Sequence, residues 1–197
     1  MCEYMLGKFK VRVVDGQEVR KSNPDFINYG HHYLVSDIPE GEIWLDDSSK
    51  PEEVALFVLR ALYEVTLYDR GLSKDMVSEA AKEFDRQIRA DSPQEEIRVR
   101  KLSDFGDLHV WLVRGDQVRK QHDPNFIMGG HGYVYDYVPR DEVWVEESLP
   151  PLDRVFTLLH ELYEVSLMRE GMTYDPAHDR ATAIEKRLRN LVPEGQP

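Results

Sequence analysis

Cysteine is almost missing from this chain. Cys2 is the single one, which excludes an internal disulfide framework and any multi-cysteine zinc site. A metal would have to be held by histidine, aspartate and glutamate, and the search narrows to seven histidines. Basic residues are scarce relative to acids, 25 Lys plus Arg against 37 Asp plus Glu, for a net charge of -12. The broad basic footprint of a nucleic-acid-binding surface is therefore lacking, and phosphate-backbone binding is not expected. No apolar run approaches the roughly 18–20 residues that span a bilayer. The N-terminus, Met1-Cys2-Glu3-Tyr4-Met5, carries no basic-then-apolar signal. A cytoplasmic protein with no membrane partner is expected. There is no Walker loop, no Gly-x-Gly-x-x-Gly after a strand and no Gly-x-Ser-x-Gly elbow, so nucleotide use has no support.

What the chain does have is an internal repeat. With 197 residues, 41% apolar and 31% charged, it suits one compact domain or two small ones. The stretch from Gln17 to Arg89 reappears from Asp116 to Arg189, with one extra residue between Lys120 and Pro124. From Pro24 onward the offset is a constant 100, and about 21 of 66 compared positions are identical. Pro24/Pro124, Gly30/Gly130, His31/His131, Trp44/Trp144, Tyr63/Tyr163, Glu64/Glu164 and Gly71/Gly171 all coincide. A period near 100 is too long for a solenoid unit and fits a duplicated domain, or one pseudo-twofold domain built from two halves. The first repeat is expected over residues 8–90, a linker over 91–106 and the second repeat over 107–192.

Each repeat reads as α+β, an antiparallel β-meander followed by a helical hairpin. Phe9, Val11 and Val13 alternate with basic residues before a turn at Asp15-Gly16, and Leu108, Val110 and Leu112 do so before Arg114-Gly115. A second hairpin is expected from residues 33–38 and 42–45, and from 133–138 and 142–145. Residues 97–102 alternate apolar with basic side chains, as an added strand or an ordered crossover would. Ser49-Lys50-Pro51-Glu52 has capping-box spacing, so helices should start near 51 and 151, end at Gly71 and Gly171, and be followed by helices reaching Arg89 and Arg189. The acidic pairs Asp46-Asp47 and Glu146-Glu147 precede the long helices, where carboxylates suit the N-terminal dipole.

The two copies also differ, and the difference sorts residues by role. Residues kept in both serve a shared fold; reactive groups found in one copy are candidates for a site that the other has lost. The long helix of copy two contains His160-Glu161-Leu162-Tyr163-Glu164, where copy one has Arg60-Ala61-Leu62-Tyr63-Glu64. Leu152, Val155, Phe156, Leu159, Leu162 and Tyr163 form an apolar stripe, with His160 and Glu164, four apart, stacked on its flank. Glu161 points about 100° away from His160. His-Glu-x-x-Glu differs from the zincin string His-Glu-x-x-His only in its last letter, and a carboxylate oxygen binds zinc as an imidazole nitrogen does. His178 lies about one turn into the following helix. If Gly171 reverses the chain, Glu164 sits roughly 10 Å before the turn and His178 roughly 5 Å after it, nearly level.

His160, Glu164 and His178 thus form a candidate metal set, with Glu161 as general base for a water. Copy one carries Arg60, Ala61 and Ser78 there, and Arg60 can pair with Glu64, a guanidinium replacing a metal cation. The bland alternative is a hydrogen-bonded His160–Glu164 pair at a core edge. His131 is an alternative ligand, but His31 survives where the other groups vanish, which favours a shared structural task such as bonding a turn backbone.

Gly129-Gly130-His131-Gly132-Tyr133-Val134-Tyr135, Asp141 to Val145, Leu158 to Leu162 with Glu164, and then Gly171-Met172 and Ala177-His178 together resemble a group of small, functionally unassigned bacterial and phage proteins. Members of that group look like single copies of this unit. The resemblance covers both halves, is closer for the second, and implies a duplication. The His-Glu-Leu-x-Glu and Ala-His elements recur in the group, which supports a site and brings no substrate. Similarity to true zincins is confined to the helix string. The resulting expectation is a zinc-binding second half, hydrolytic toward peptide or amide bonds in its most specific form. The rival is a non-catalytic module presenting an acidic surface to a peptide or protein partner.

Overall fold

The computed structural model describes residues 3–24, 26–90 and 95–191; Cys2 and residues 91–94 of the connector lie outside them. The chain is α+β, with two four-stranded sheets that each carry a pair of long helices. It divides into two compact units. Unit 1 comprises Met1–Val19, Asp25–Glu95 and Asp116–Asn125, and unit 2 comprises Arg20–Pro24, Glu96–Gly115 and Phe126–Pro197. Units and sequence repeats are therefore not the same thing, because each unit includes a short segment from the other repeat.

In unit 1, β1 (Glu3–Leu6) and β2 (Phe9–Val14) form a hairpin, and α1 (Gly16–Ser22) begins directly afterwards. Strands β3 (Tyr29–His31) and β4 (Glu42–Asp46) complete the sheet in the order β1-β2-β4-β3. Three expectations are corrected here. Asp15-Gly16 opens a helix instead of a hairpin turn: Asp15 Oδ1 accepts the Glu18 N–H at 3.1 Å, the bond of an N-cap. With α1 as a crossover, β2 and β4 run parallel, so the sheet is mixed and not a meander. Residues 33–38 form turns, and the strand pairing with β4 comes earlier, at Tyr29–His31. Asp47 of the acidic pair also meets the start of α1, where Gly16 N–H donates to its Oδ1 at 3.5 Å.

Two long helices follow, α2 (Pro51–Asp69) and α3 (Lys74–Arg89). Pro51 suits a first turn, where its missing N–H costs no hydrogen bond. The cap itself is Lys50, without a side-chain bond; Ser49 Oγ instead donates to Asn28 O at 3.3 Å. Gly71, at φ +84°, reverses the chain between the helices. Val11, Ile43 and Leu45 of the sheet pack on Phe57, Val58 and Ala61 of α2 as the core.

Unit 2 repeats this order: β5 (Arg98–Phe105), β6 (Leu108–Val113), β7 (Gly129–His131), β8 (Glu142–Glu146), α5 (Pro151–Arg169) and α6 (Tyr174–Arg189). Its sheet is again mixed, in the order β5-β6-β8-β7. Residues 98–105, inside the stretch read as a linker, form the edge strand β5, with two register shifts against β6. Helix α4 (Gly115–Gln121) occupies the turn expected at Arg114-Gly115. Helix α5 lies on β7 and β8 and is antiparallel to α6 across Gly171, whose φ is +97°. This hairpin brings the second-half side chains together.

Candidate metal centre

Helix α5 buries polar groups where apolar ones were expected. Its buried face holds Asp153, Phe156, Thr157, His160, Glu164 and Leu167, spaced by three and four residues, whereas Val155 is 60% exposed. Of the anticipated stripe of Leu152, Val155, Phe156, Leu159, Leu162 and Tyr163, the first two turn outward, Phe156 is buried and the other three are half-buried. Buried polar groups need partners, and here they find one another and α6.

Three ligand atoms converge, as the helical hairpin predicted. His160 Nε2 lies 3.3 Å from Glu164 Oε2 and 3.3 Å from His178 Nδ1, and His178 Nδ1 is 2.9 Å from Glu164 Oε2. This set can hold a metal ion. His160 and Glu164 are buried, whereas the His178 side chain is 36% exposed, so the cluster opens to solvent on the α6 side. Tyr174, one turn before His178, lays its ring against that imidazole at 5.3 Å between centroids.

The orientation of His160 is set from behind. Its Nδ1 lies 2.8 Å from Glu185 Oε2. A carboxylate accepts, so Nδ1 donates and Nε2 faces the cluster, the arrangement in which an outer carboxylate fixes a ligand imidazole. Glu185 is held in turn by Arg189 Nε at 2.8 Å, Arg189 Nη1 reaches Asp153 Oδ1 at 2.5 Å, and Asp153 Oδ2 accepts from Arg20 Nη2 at 2.7 Å. Burial disfavours charge on His160, but hydrogen bonds to Glu164 and Glu185 outweigh it and raise its pKa to about 10. Burial works against a Glu164 anion as well. The hydrogen bonds from His131, His160 and His178 win, holding its carboxyl well below the usual range.

Glu161 stands beside the cluster instead of pointing away. Its carboxylate approaches His131 Nε2 at 3.9 Å, outside hydrogen-bond range. A Cβ at position 129 would come 2.7 Å from Thr157 Cγ2 and 3.2 Å from Glu161 Oε1, so glycine is required there by the close approach. Burial pushes Glu161 up to about 7, against the opposing pull of the nearby imidazoles. His131 was read as serving a turn backbone, and its Nδ1 does accept the Tyr133 N–H at 3.2 Å; its Nε2 also meets Glu164 Oε1 at 3.0 Å.

Unit 1 shows the same place without a metal set. Arg60 Nε donates to Glu64 Oε1 at 3.0 Å, so the expected guanidinium stands beside the carboxylate. Its Nη1 reaches Asp85 Oδ2 at 3.1 Å and Pro124 O at 3.0 Å, and Nη2 binds Asn125 Oδ1. Behind it runs the counterpart chain: Arg89 Nε to Asp85 Oδ1 at 2.5 Å, Arg89 Nη1 to Glu53 Oε1 at 3.0 Å, and Arg119 Nε to Glu53 Oε1 at 3.0 Å. Side-chain lengths compensate along the two chains. Long Arg60 meets short Asp85, while the shorter His160 meets longer Glu185. Tyr29, the counterpart of Gly129, donates its hydroxyl to Glu64 Oε1 at 2.9 Å. Tyr29 with Ala61 has thus been exchanged for Gly129 with Glu161.

Sequence reading missed Gly129, Glu185 and the Arg189–Asp153–Arg20 chain. The coupled exchange at 29/129 and 61/161 was the available signal for the first. Asp85/Glu185, differing by one methylene next to an Arg/His exchange, was the signal for the second. No family model matches this chain, and no curated protein or solved structure matches it either.

Proposed function

We propose that unit 2 is a zinc centre of a metal-dependent hydrolase, with His160, Glu164 and His178 as ligands and Glu161 as general base. One observation carries the metal reading: three ligand atoms stand 2.9–3.3 Å from one another around a common point. Tetrahedral zinc with bonds of about 2.0–2.1 Å separates its ligand atoms by roughly 3.3 Å, so the three fit one triangular face of such a site. Two imidazoles and a carboxylate suit zinc's ligand preference and leave a fourth position. The exposed edge of His178 faces solvent, which gives a water or substrate a way in.

Zinc bound there would supply the positive charge that polarises an amide carbonyl and acidifies water. The chain's own residues do the rest. Glu185 keeps the His160 proton on Nδ1, which leaves Nε2 for the cluster, and His131 holds Glu164 from its far side. Among the described residues Glu161 has no hydrogen-bond donor within reach, and a carboxylate so placed takes a proton from water on its own oxygen and returns it to a leaving amine. Peptide or amide bonds are the substrate class we assign, on the strength of this base-and-ligand set.

Protein purified without chelator and measured by inductively coupled plasma mass spectrometry should carry about one zinc per chain, and His160→Ala should lose it. Against a mixture of quenched fluorogenic peptides, Glu161→Gln should abolish turnover while leaving the metal in place. Metal-free parent protein of full stability, which zinc does not shift, would instead favour the interaction module.

A further inference from the structure

We infer that His131 is a positioning residue of this centre, locked as its Nε2–H tautomer, whose one proton holds the outer oxygen of Glu164 so that only the inner oxygen faces the two ligand imidazoles. The inference rests on the metal reading above and assigns a role to a histidine that was open as an alternative ligand.

The lock is the backbone. Tyr133 N–H donates to His131 Nδ1 at 3.2 Å, so the Nδ1 lone pair is engaged and that nitrogen carries no proton. The ring proton is then on Nε2, which points at Glu164 Oε1 at 3.0 Å. A metal ligand must offer a lone pair, and His131 Nε2 has none to offer in this tautomer. The ring is 1% exposed, too enclosed to turn over without disturbing its surroundings.

Glu164 is consequently divided between two tasks. Oε1 belongs to His131, and Oε2 to His160 and His178. A carboxylate free at both oxygens can chelate a cation through both. Occupying one with an N–H restricts it to the other and keeps a coordination position open. The donor also has a second carboxylate nearby, Glu161 Oε2, at 3.9 Å. That gap is beyond a hydrogen bond, so the proton serves the ligand and leaves the base unpaired.

Unit 1 acts as an internal control. There His31 Nε2 lies 3.1 Å from Glu64 Oε2, although the positions of His160 and His178 are Arg60 and Ser78. The bond persists without the ligand set, as it should if the imidazole's partner is the glutamate and not an ion.

Two full-length variants and one spectrum test this. His131→Gln keeps an amide N–H near the position of Nε2, and His131→Leu keeps bulk without a donor. Zinc affinity is read by competition with a chromophoric chelator, and coordination by the visible bands of the cobalt-loaded protein. His131→Leu should still bind one ion per chain, about 10- to 100-fold more weakly, with weaker cobalt bands as Glu164 engages through both oxygens. His131→Gln should resemble the parent. In the metal-free full-length parent, nitrogen-15 NMR of the imidazole should show a proton on Nε2 and a bare Nδ1. The role is overturned if that spectrum puts the proton on Nδ1, if His131→Leu binds zinc as tightly as the parent, or if both folded variants bind none, which would make His131 a ligand. A parent that takes up neither zinc nor cobalt removes the metal reading and the role with it; the NMR arm needs no metal, so the two failures are told apart.

Discussion

At position 60/160 one side chain decides what faces the buried carboxylates of each unit. Arg60 brings its own permanent charge to Glu64 and Asp85, whereas His160 faces the equivalent carboxylates with a nitrogen that an external ion can use. Arg60→Ala therefore leaves buried Glu64 without its guanidinium and Asp85 with Arg89 alone. Chemical denaturation should show a loss of about 3–5 kcal/mol, typical of breaking a buried ion pair. His160→Arg asks the converse question. Unit 1 already accommodates a guanidinium between the corresponding carboxylates, so this variant should lose metal in plasma mass spectrometry yet stay folded by circular dichroism, with a melting temperature above that of His160→Leu. The sequence showed the exchange of Arg60 for His160 plainly, because two copies of one ancestor lie in the same chain. It did not show that Glu161 belongs near the cluster, since helix periodicity treats a residue 100° away as pointing elsewhere. Only the missing Cβ of Gly129 makes room for that carboxylate beside the others.

The helices were more legible than the strands. Pro51 and Pro151 at the starts and Gly71 and Gly171 at the ends are local signals, each enforced by the backbone of one residue, and the helices lie where they predict. Strand order is a non-local matter. Asp15-Gly16 looks equally suited to a turn or to a helix start, and the choice made by Asp15 Oδ1 and Glu18 N–H turns a meander into a parallel crossover. The buried face of α5 was only partly located for a related reason: hydrophobic patterning cannot anticipate a face whose burial is compensated by charge pairing. Asp153 is 0% exposed and lies between Arg189 and Arg20. Arg20→Met should destabilise unit 2 by about 3 kcal/mol. It should also weaken zinc binding, since the chain Arg20–Asp153–Arg189–Glu185 ends on His160. Arg119→Met removes the matching donor from Glu53 in unit 1 and should leave zinc affinity unchanged. Isothermal titration of both variants separates the two.

Over the whole molecule, the charge pattern sets the response to acid. His31 and Arg60 overcome the burial penalty on Glu64 and hold its pKa below the ordinary carboxylate value. A group whose folded pKa is depressed contributes stability above its unfolded pKa and loses it as pH falls through the folded one. The Glu64 contribution, read as the urea midpoint of the parent less that of Glu64→Gln, should therefore hold from about pH 7 to 5 and shrink once pH falls below roughly 4.3, the ordinary glutamate value. Glu64→Gln should start from a lower midpoint at neutral pH and decline less steeply in acid. A slope equal to that of the parent would show that Glu64 does not contribute.

The segments Arg20–Pro24 and Asp116–Asn125 each belong to the compact unit of the opposite repeat. Arg20 of the first repeat holds Asp153 of the second, and Arg119 of the second holds Glu53 of the first. Deleting either repeat would therefore take a buried ion-pair partner from the other.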